Sequence, residues 1–242
     1  MLQTLLRLQQ YFSSQNYSWS VQIISDGSTD STASICKNFS KKHPGFDFFE
    51  YRPNKGKGYA VRLGMLQADS EWILFSDADL AAPIEEIEKL FDFASKGFDV
   101  IIGSRPLKES QLLVHQPFYR EFLGRVANKL IQLFAVRGIQ DTQCGFKLFK
   151  GSAAKDIFSR CQINGFSFDI ESLMIAKELG YSIAEIPIRW AHQEGSKVRV
   201  IPHYLFAFWD LILLRLQGKK KRLQIRNLQK KAITETAPIQ NA

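Results

Sequence analysis

Trp72-Ile73-Leu74-Phe75-Ser76-Asp77-Ala78-Asp79 is a run of four bulky apolar residues that ends at two carboxylates one residue apart. A short apolar run bounded by polar residues reads as a buried strand, and in an open α/β sheet ligands collect beyond the carboxyl ends of such strands. The stretch predicts a strand over 72–76 with Asp77 and Asp79 at its ligand-binding end. Working outward, β-rich runs over 21–25, 46–51 and 98–103 alternate with helical spacing over 30–43, 58–68 and 83–95. That alternation predicts an α/β fold, a mostly parallel sheet flanked by helices. Pro83 suits a first helical position, and Glu85 and Glu86 suit the positive end of the helix dipole.

Beyond this half, residues 105–118 form a connection rich in charged and amide side chains, long enough for a functional loop. Helical spacing follows over 118–136, then a strand over 144–149, a helix over 169–179, a strand over 181–189 and a polar loop over 190–199. Leu205, Phe206, Phe208, Trp209, Ile212, Leu213 and Leu216 recur at helical spacing and run into the basic residues 219–222. A helix lying in a lipid interface beside anionic headgroups has this pattern, as does a core helix followed by a basic tail. The expected organisation is a body over 1–201, an amphipathic membrane-interface helix over 202–217 and a disordered basic tail over 218–242.

The 242 residues, 45% of them apolar, suffice for a real core. The net charge is +8, but after Gly218 seven basic side chains face only Glu235, so that the tail holds +6 of it. The body is nearly neutral and the tail has no interleaved aromatics, which argues against nucleic-acid binding. Cys36, Cys144 and Cys161 are odd in number and lack paired spacing, which argues against a disulfide framework or a zinc site and for a reducing compartment. No run approaches the roughly 18 apolar residues of a membrane-spanning helix, and the opening MLQTLLRLQQYF lacks the features of a signal peptide. The expected location is peripheral, on the cytoplasmic face of a membrane.

The chemistry rests on three elements. A divalent ion of the Mg²⁺ or Mn²⁺ kind takes one or two carboxylates and completes its shell with water and phosphate oxygens, which suits Asp77 and Asp79 as metal ligands. Such an ion would neutralise a diphosphate leaving group. An isolated Asp-x-Asp triplet is more often a solvated turn; its place after a buried strand favours the site. In Ser25-Asp26-Gly27-Ser28-Thr29-Asp30, Gly27 permits a tight turn, Ser28 or Asp30 can cap the next helix, and Asp26 can accept from a nucleotide's base or ribose. Arg52-Pro53-Asn54-Lys55-Gly56-Lys57-Gly58 is a basic glycine-rich loop whose backbone and Lys57 can approach a phosphate. Its spacing is not that of a P-loop.

The series SDGSTD (25–30), NKGKGYAVRLGM (54–65), FSDADL (75–80), IIGSR (101–105), DTQCGFKLF (141–149) and FDIE (168–171) resembles the inverting family-two glycosyltransferases of the GT-A fold. In particular it resembles the dolichyl-phosphate β-glucosyltransferases and dolichyl-phosphate mannose synthases, over about residues 21–197. The resemblance implies a metal and diphosphate motif at Asp77 and Asp79, with Asp26 in the nucleotide-base motif. It implies that Arg105 faces the acceptor phosphate, with Arg120, Arg125 and Gln143 on the acceptor side. Asp169 and Glu171 match an acidic pair beside the reaction centre, and Ser196-Lys197 a loop that closes over the donor. The implied partners are a nucleotide-diphospho-sugar, UDP-glucose before GDP-mannose, a polyprenyl phosphate and an anionic membrane surface.

Two departures stand out. Family members begin with a strand and a Pro-x-Tyr-Asn-Glu type motif, whereas this sequence starts at what looks like the following helix, so the first strand is expected to be missing. The usual Asp-Asp-Gly-Ser motif is Ser25-Asp26-Gly27-Ser28 here, one carboxylate short. A non-catalytic homologue is therefore a rival reading. A second rival is transfer to a hydroxyl acceptor: an acceptor phosphate is already anionic near neutral pH, its second pKa being about 6, whereas a hydroxyl would require Asp169 as base.

Overall fold

The computed structural model describes residues 1–114 and 136–191. The helix expected over 118–136, Arg120, Arg125, Ser196, Lys197, the interface helix and the basic tail all lie outside the described residues, Val136 apart.

The chain opens with helix α1 (Leu2–Ser13), which buries Leu5 and Phe12. Strand β1 (Val21–Asp26), helix α2 (Thr32–Lys42) and strand β2 (Phe46–Tyr51) follow, with β1 and β2 parallel from Val21 opposite Phe46 to Asp26 opposite Tyr51. Helix α3 (Lys57–Gln67) leads into β3 (Trp72–Ser76). A 3₁₀ turn (Ile84–Glu86) precedes α4 (Ile87–Ser95) and β4 (Val100–Ser104); then come β5 (Gln111–Val114), β6 (Phe146–Lys150), α5 (Gly151–Phe158), α6 (Phe168–Glu178), β7 (Ile183–Pro187) and β8 (Arg189–Ala191). The main sheet has the order β3-β6-β4-β7, with β6 antiparallel to both neighbours and β4 parallel to β7. A further parallel pair joins β5 to β8.

The period-2 alternation of the strands explains the layers. Val100, Ile102, Ile73 and Phe149 face α3, α5 and α6, burying Met65, Ile157, Phe158, Phe168 and Leu173. Ile101, Phe146, Leu148 and Ile186 face the other way, onto Phe12, Ile84, Ile87 and Leu90. The strand β4 is buried on both faces, as its unbroken apolar run requires.

Among the described residues β1 pairs only with β2, and β3 only with β6. Among the described residues no strand joins β1 to β3, and α3 packs against both.

Several expectations need correction. The helix expected from Pro83 starts at Ile87, because residues 84–86 close a 3₁₀ turn, and the Glu86 side chain is drawn into ion pairs with Arg189 and Lys89. The connection over 105–118 contains β5, whose partner β8 takes Arg189–Ala191, so residues 189–191 form neither a continuation of β7 nor a loop. Helix α5, missed in the sequence, buries Ala153, Ala154, Ile157 and Phe158, an i, i+1, i+4, i+5 stripe. Neither Ser28 nor Asp30 is the N-cap of α2, which is Ser31 and makes no side-chain capping bond; Asp30 Oδ1 accepts the Thr32 N–H at 3.0 Å from one residue earlier, and Ser28 bonds Ser25. The three cysteines are free and buried. No helix among the described residues is long and apolar enough to cross a membrane.

Candidate active site

The site lies where β1 and β3 end. Asp26 closes β1, and its two carboxylate oxygens accept the backbone N–H groups of Lys55 at 2.7 Å and Gly56 at 2.9 Å. Asn54 Nδ2 donates to the Asp26 carbonyl at 2.8 Å. Asp26 thus holds the glycine-rich loop as a template. Gly56 has φ +99°, and a Cβ there would lie 2.4 Å from the Asn164 carbonyl oxygen; a Cβ on Gly58 would lie 2.4 Å from that of Ile163. Only glycine lets the 163–165 segment seat on the loop, an arrangement closed by the Gly58 N–H bond to Asn164 O at 2.7 Å.

This template aims Lys57, the first residue of α3, at the end of β3. Its ammonium lies 2.6 Å from Asp77 Oδ1 and within cation–π range of Phe75 (5.4 Å), Phe166 (5.8 Å) and Phe168 (6.0 Å). Burial disfavours the charged ammonium, but Asp77, then Asp169 and Asp79, outweigh it and hold the Lys57 pKa above its ordinary value.

Asp77 is wedged on its other side. Its N–H donates to Gly145 O at 3.0 Å, and a Cβ on Gly145 would lie 2.0 Å from Asp77 Oδ2. Asp79 is exposed, its Oδ1 accepting the Ala81 N–H at 3.0 Å, and the turn passes through Leu80, buried at φ +49°. A buried leucine in the left-handed region is a strained residue that its surroundings enforce, here directly after Asp79.

Asp169, at the start of α6, reaches the same place from below. It is buried against the ammonium of Lys147, which also donates to the Cys144 carbonyl at 2.5 Å. Burial pushes the Asp169 carboxyl up; Lys147 and Lys57 pull it back without cancelling the rise, to which Asp77 adds. Glu171 does not join it: its carboxylate accepts the N–H groups of Gln162 at 3.0 Å and Ile163 at 2.8 Å, shaping the segment on which Gly56 and Gly58 rest.

Arg105, Asp141 and Gln143 form a second cluster at the end of β4. Arg105 donates through Nε and Nη2 to Asp141 at 2.6 and 2.8 Å, and its own N–H donates to the same carboxylate. Asp141 is fully buried; burial would raise its pKa, but Arg105, with help from Lys147, holds it below the ordinary value. Glu185 fixes the loop from behind, accepting from the Gln140 and Asp141 backbone and from Ser104. The half-buried Gln143 follows on the same loop. Trp190 joins the clusters: the Arg105 guanidinium lies over its ring at 5.4 Å, and it lines a hollow with Asp77, Ala81 and Gly145.

The structure thus brings together Asp26, Lys57, Asp77, Asp79 and Asp169, with Arg105 and Gln143 alongside. Trp190, Glu185 and the anchoring part of Lys147 escaped sequence reading. Lys147 had a signal, a lone charge in the strand Phe146-Lys147-Leu148-Phe149. Among the described residues no group of three or more His, Cys, Asp or Glu side chains gathers as an all-protein metal cage. Asp77 and Asp79 offer the one or two carboxylates that a hard divalent cation takes when phosphates and water complete its shell.

A carboxylate pair at the end of a buried strand, a lysine at the end of a glycine-rich loop and a second acidic helix below them define an α/β transferase-type site. Residues 2–158 match the model of Glycosyl transferase family 2, and the chain belongs to that family. It is 36% identical over 225 residues to a dolichyl-phosphate beta-glucosyltransferase of Drosophila melanogaster, an alignment covering 89% of this chain and 69% of that protein. It is 34% identical over 215 residues to the dolichyl-phosphate beta-glucosyltransferase of Saccharomyces cerevisiae, covering 82% of this chain and 64% of the yeast protein. The chain therefore spans about two thirds of the length of these two relatives. Among solved structures, mannosyl-3-phosphoglycerate synthase from Rubrobacter xylanophilus superposes with a TM-score of 0.64 at 13% identity, over 91% of this chain and 70% of that one. Glucosyl-3-phosphoglycerate synthase from Mycobacterium tuberculosis, in complex with Mn²⁺, UDP and glucosyl-3-phosphoglycerate, does so with 0.57 at 16%, over 86% and 72%. These likenesses show the fold, that of the GT-A transferases.

Proposed function

We propose that this protein transfers a sugar, glucose before mannose, from a nucleotide diphosphate donor to a polyprenyl phosphate at a membrane surface. The observation that carries the reading is the convergence of Lys57, Asp77, Asp79 and Asp169 at the end of β3, in a chain 36% identical to a dolichyl-phosphate beta-glucosyltransferase. The apolar stripe and basic run of residues 205–222 support an anionic membrane surface as partner.

Asp77 and Asp79 would hold Mg²⁺ or Mn²⁺ with the donor diphosphate; the bound ion supplies positive charge to the leaving group. Lys57 adds a second positive charge there, and the Asp26-templated loop sets its position. Arg105, held by Asp141 and stacked over the Trp190 ring that lines the hollow, is the guanidinium we assign to an acceptor phosphate. The placement of Asp169 favours phosphate over hydroxyl. One of its oxygens is occupied by Lys147, which suits a carboxylate that shapes the local field better than one that strips a proton. An anionic acceptor needs positioning and charge screening, which this site offers.

The test is incubation of the purified chain with Mn²⁺, polyprenyl phosphate and labelled UDP-glucose or, separately, labelled GDP-mannose, followed by organic extraction. Label in the lipid phase that disappears with Asp79→Ala, and when dephosphorylated polyprenol replaces the phosphate, is the expected result. A folded chain that labels polyprenol as well as the phosphate would favour the hydroxyl reading, and no label from either donor overturns the proposal.

A further inference from the structure

The position of Lys57 has a consequence for how ligands enter the site. Its ammonium makes its close ion pair with Asp77 Oδ1, one of the two carboxylates assigned above to a divalent cation, so the inference rests on that assignment. Gly145 packs so closely against Asp77 Oδ2 that a Cβ there would lie 2.0 Å from it, which restricts the carboxylate on that side. Lys57 is the member of the pair that can move. Its ammonium rides on a flexible four-carbon stem, its side chain is 30% exposed, and three aromatic rings flank it without hydrogen-bonding it. Two cations sharing one carboxylate oxygen repel at close range, so a metal ion arriving at Asp77 must dislodge the ammonium or bind weakly.

We propose that Lys57 is a counter-cation that pairs with Asp77 before ligands bind and passes to the donor diphosphate on binding, making metal and nucleotide binding mutually dependent. Paired with Asp77, the lysine screens the mutual repulsion of Asp77, Asp79 and Asp169 and competes with an arriving metal ion. When a diphosphate arrives, its oxygens offer the ammonium a second anionic partner, and Asp77 is released to the metal. Linkage makes the effect reciprocal: whatever factor the nucleotide adds to metal affinity, the metal adds to nucleotide affinity. Lys57 is here a positioning residue for ligand entry, separate from any role in the bond-making step.

The test measures equilibrium binding, not turnover. Mn²⁺ affinity is determined by electron paramagnetic resonance of the free ion, with and without saturating UDP, for the wild-type chain, Lys57→Met and Lys57→Gln. Circular dichroism identifies the variants that are folded, and two substitutions guard against one that is not. In the wild type, UDP is expected to raise Mn²⁺ affinity at least tenfold. In the variants Mn²⁺ should bind the nucleotide-free protein several-fold more tightly, with the enhancement by UDP reduced at least fivefold. A lysine that stays in place would repel the ion equally in both states, so an equal gain with and without UDP, and an unchanged enhancement, overturns the exchange. A wild-type chain that binds neither Mn²⁺ nor UDP sinks the donor-site assignment itself, an outcome distinct from the preceding one.

Discussion

Lys147→Met is the most informative single perturbation of the site. The Lys147 and Asp169 side chains are 1% and 5% exposed, and each is the other's ion-pair partner. Removing one member of such a pair costs about 3–5 kcal/mol because the survivor is left charged and desolvated, whereas replacing both with apolar groups of similar volume is often close to neutral. Against a total stability of about 5–15 kcal/mol, the single variant should be severely weakened. Lys147→Met combined with Asp169→Leu should recover most of the loss. The deficit also has a sign with pH. The Asp169 carboxyl already has a raised folded pKa, and losing the ammonium raises it further. A carboxyl raised on folding costs stability as pH climbs from the ordinary carboxylate range to its folded value, so the single variant should regain stability as pH falls back through that window. Urea unfolding at a series of pH values, for both single variants and the double, gives the cycle. A loss below about 1 kcal/mol for Lys147→Met, or a deficit independent of pH, would refute the reasoning.

Gly145→Ala would drive a methyl group into Asp77, and a displacement of about 1 Å in the carboxylate should cut transfer about 10²-fold with little change in urea midpoint; kinetics beside an unfolding curve decide it. Asp141 has a depressed folded pKa, so its contribution to stability is complete above the ordinary carboxylate value and is lost as pH falls through the folded one. The stability gap between wild type and Asp141→Asn should therefore be largest near neutrality and close in acid, as acid-unfolding curves would reveal. Asp26→Ala strands the Lys55 and Gly56 N–H groups and should loosen residues 54–57, raising hydrogen exchange there and weakening UDP binding.

The α/β character and the end of β3 were legible because they rest on local pattern: an apolar run long enough for a strand and carboxylates that stop it. Asp26, Lys57 and Asp77 could be nominated for the same reason, each lying at a strand or helix end, whereas Asp169 came only from the resemblance of residues 168–171 to the family. What Asp26 does was not legible, since its bonds to Lys55 and Gly56 span 29 and 30 residues. Glu171 shows the same limit. Two residues from Asp169 on the same helix, it points to the Gln162 and Ile163 backbone instead of the reaction centre. A helix turns about 100° per residue, so a spacing of two separates side chains that a motif writes side by side. Trp190 and Glu185 sit on strands whose register fixes their neighbours, and register depends on pairings between distant segments.

In the proposed reaction a donor diphosphate and its divalent cation meet at the end of β3. Diffraction from crystals soaked with Mn²⁺ and UDP, with anomalous data to locate the ion, tests it most directly. The expected result is an anomalous peak bound by Asp77 and Asp79, the diphosphate against it, and the Lys57 ammonium moved from Asp77 to a phosphate oxygen. A peak elsewhere, or UDP bound away from Asp77 and Asp79, would contradict it.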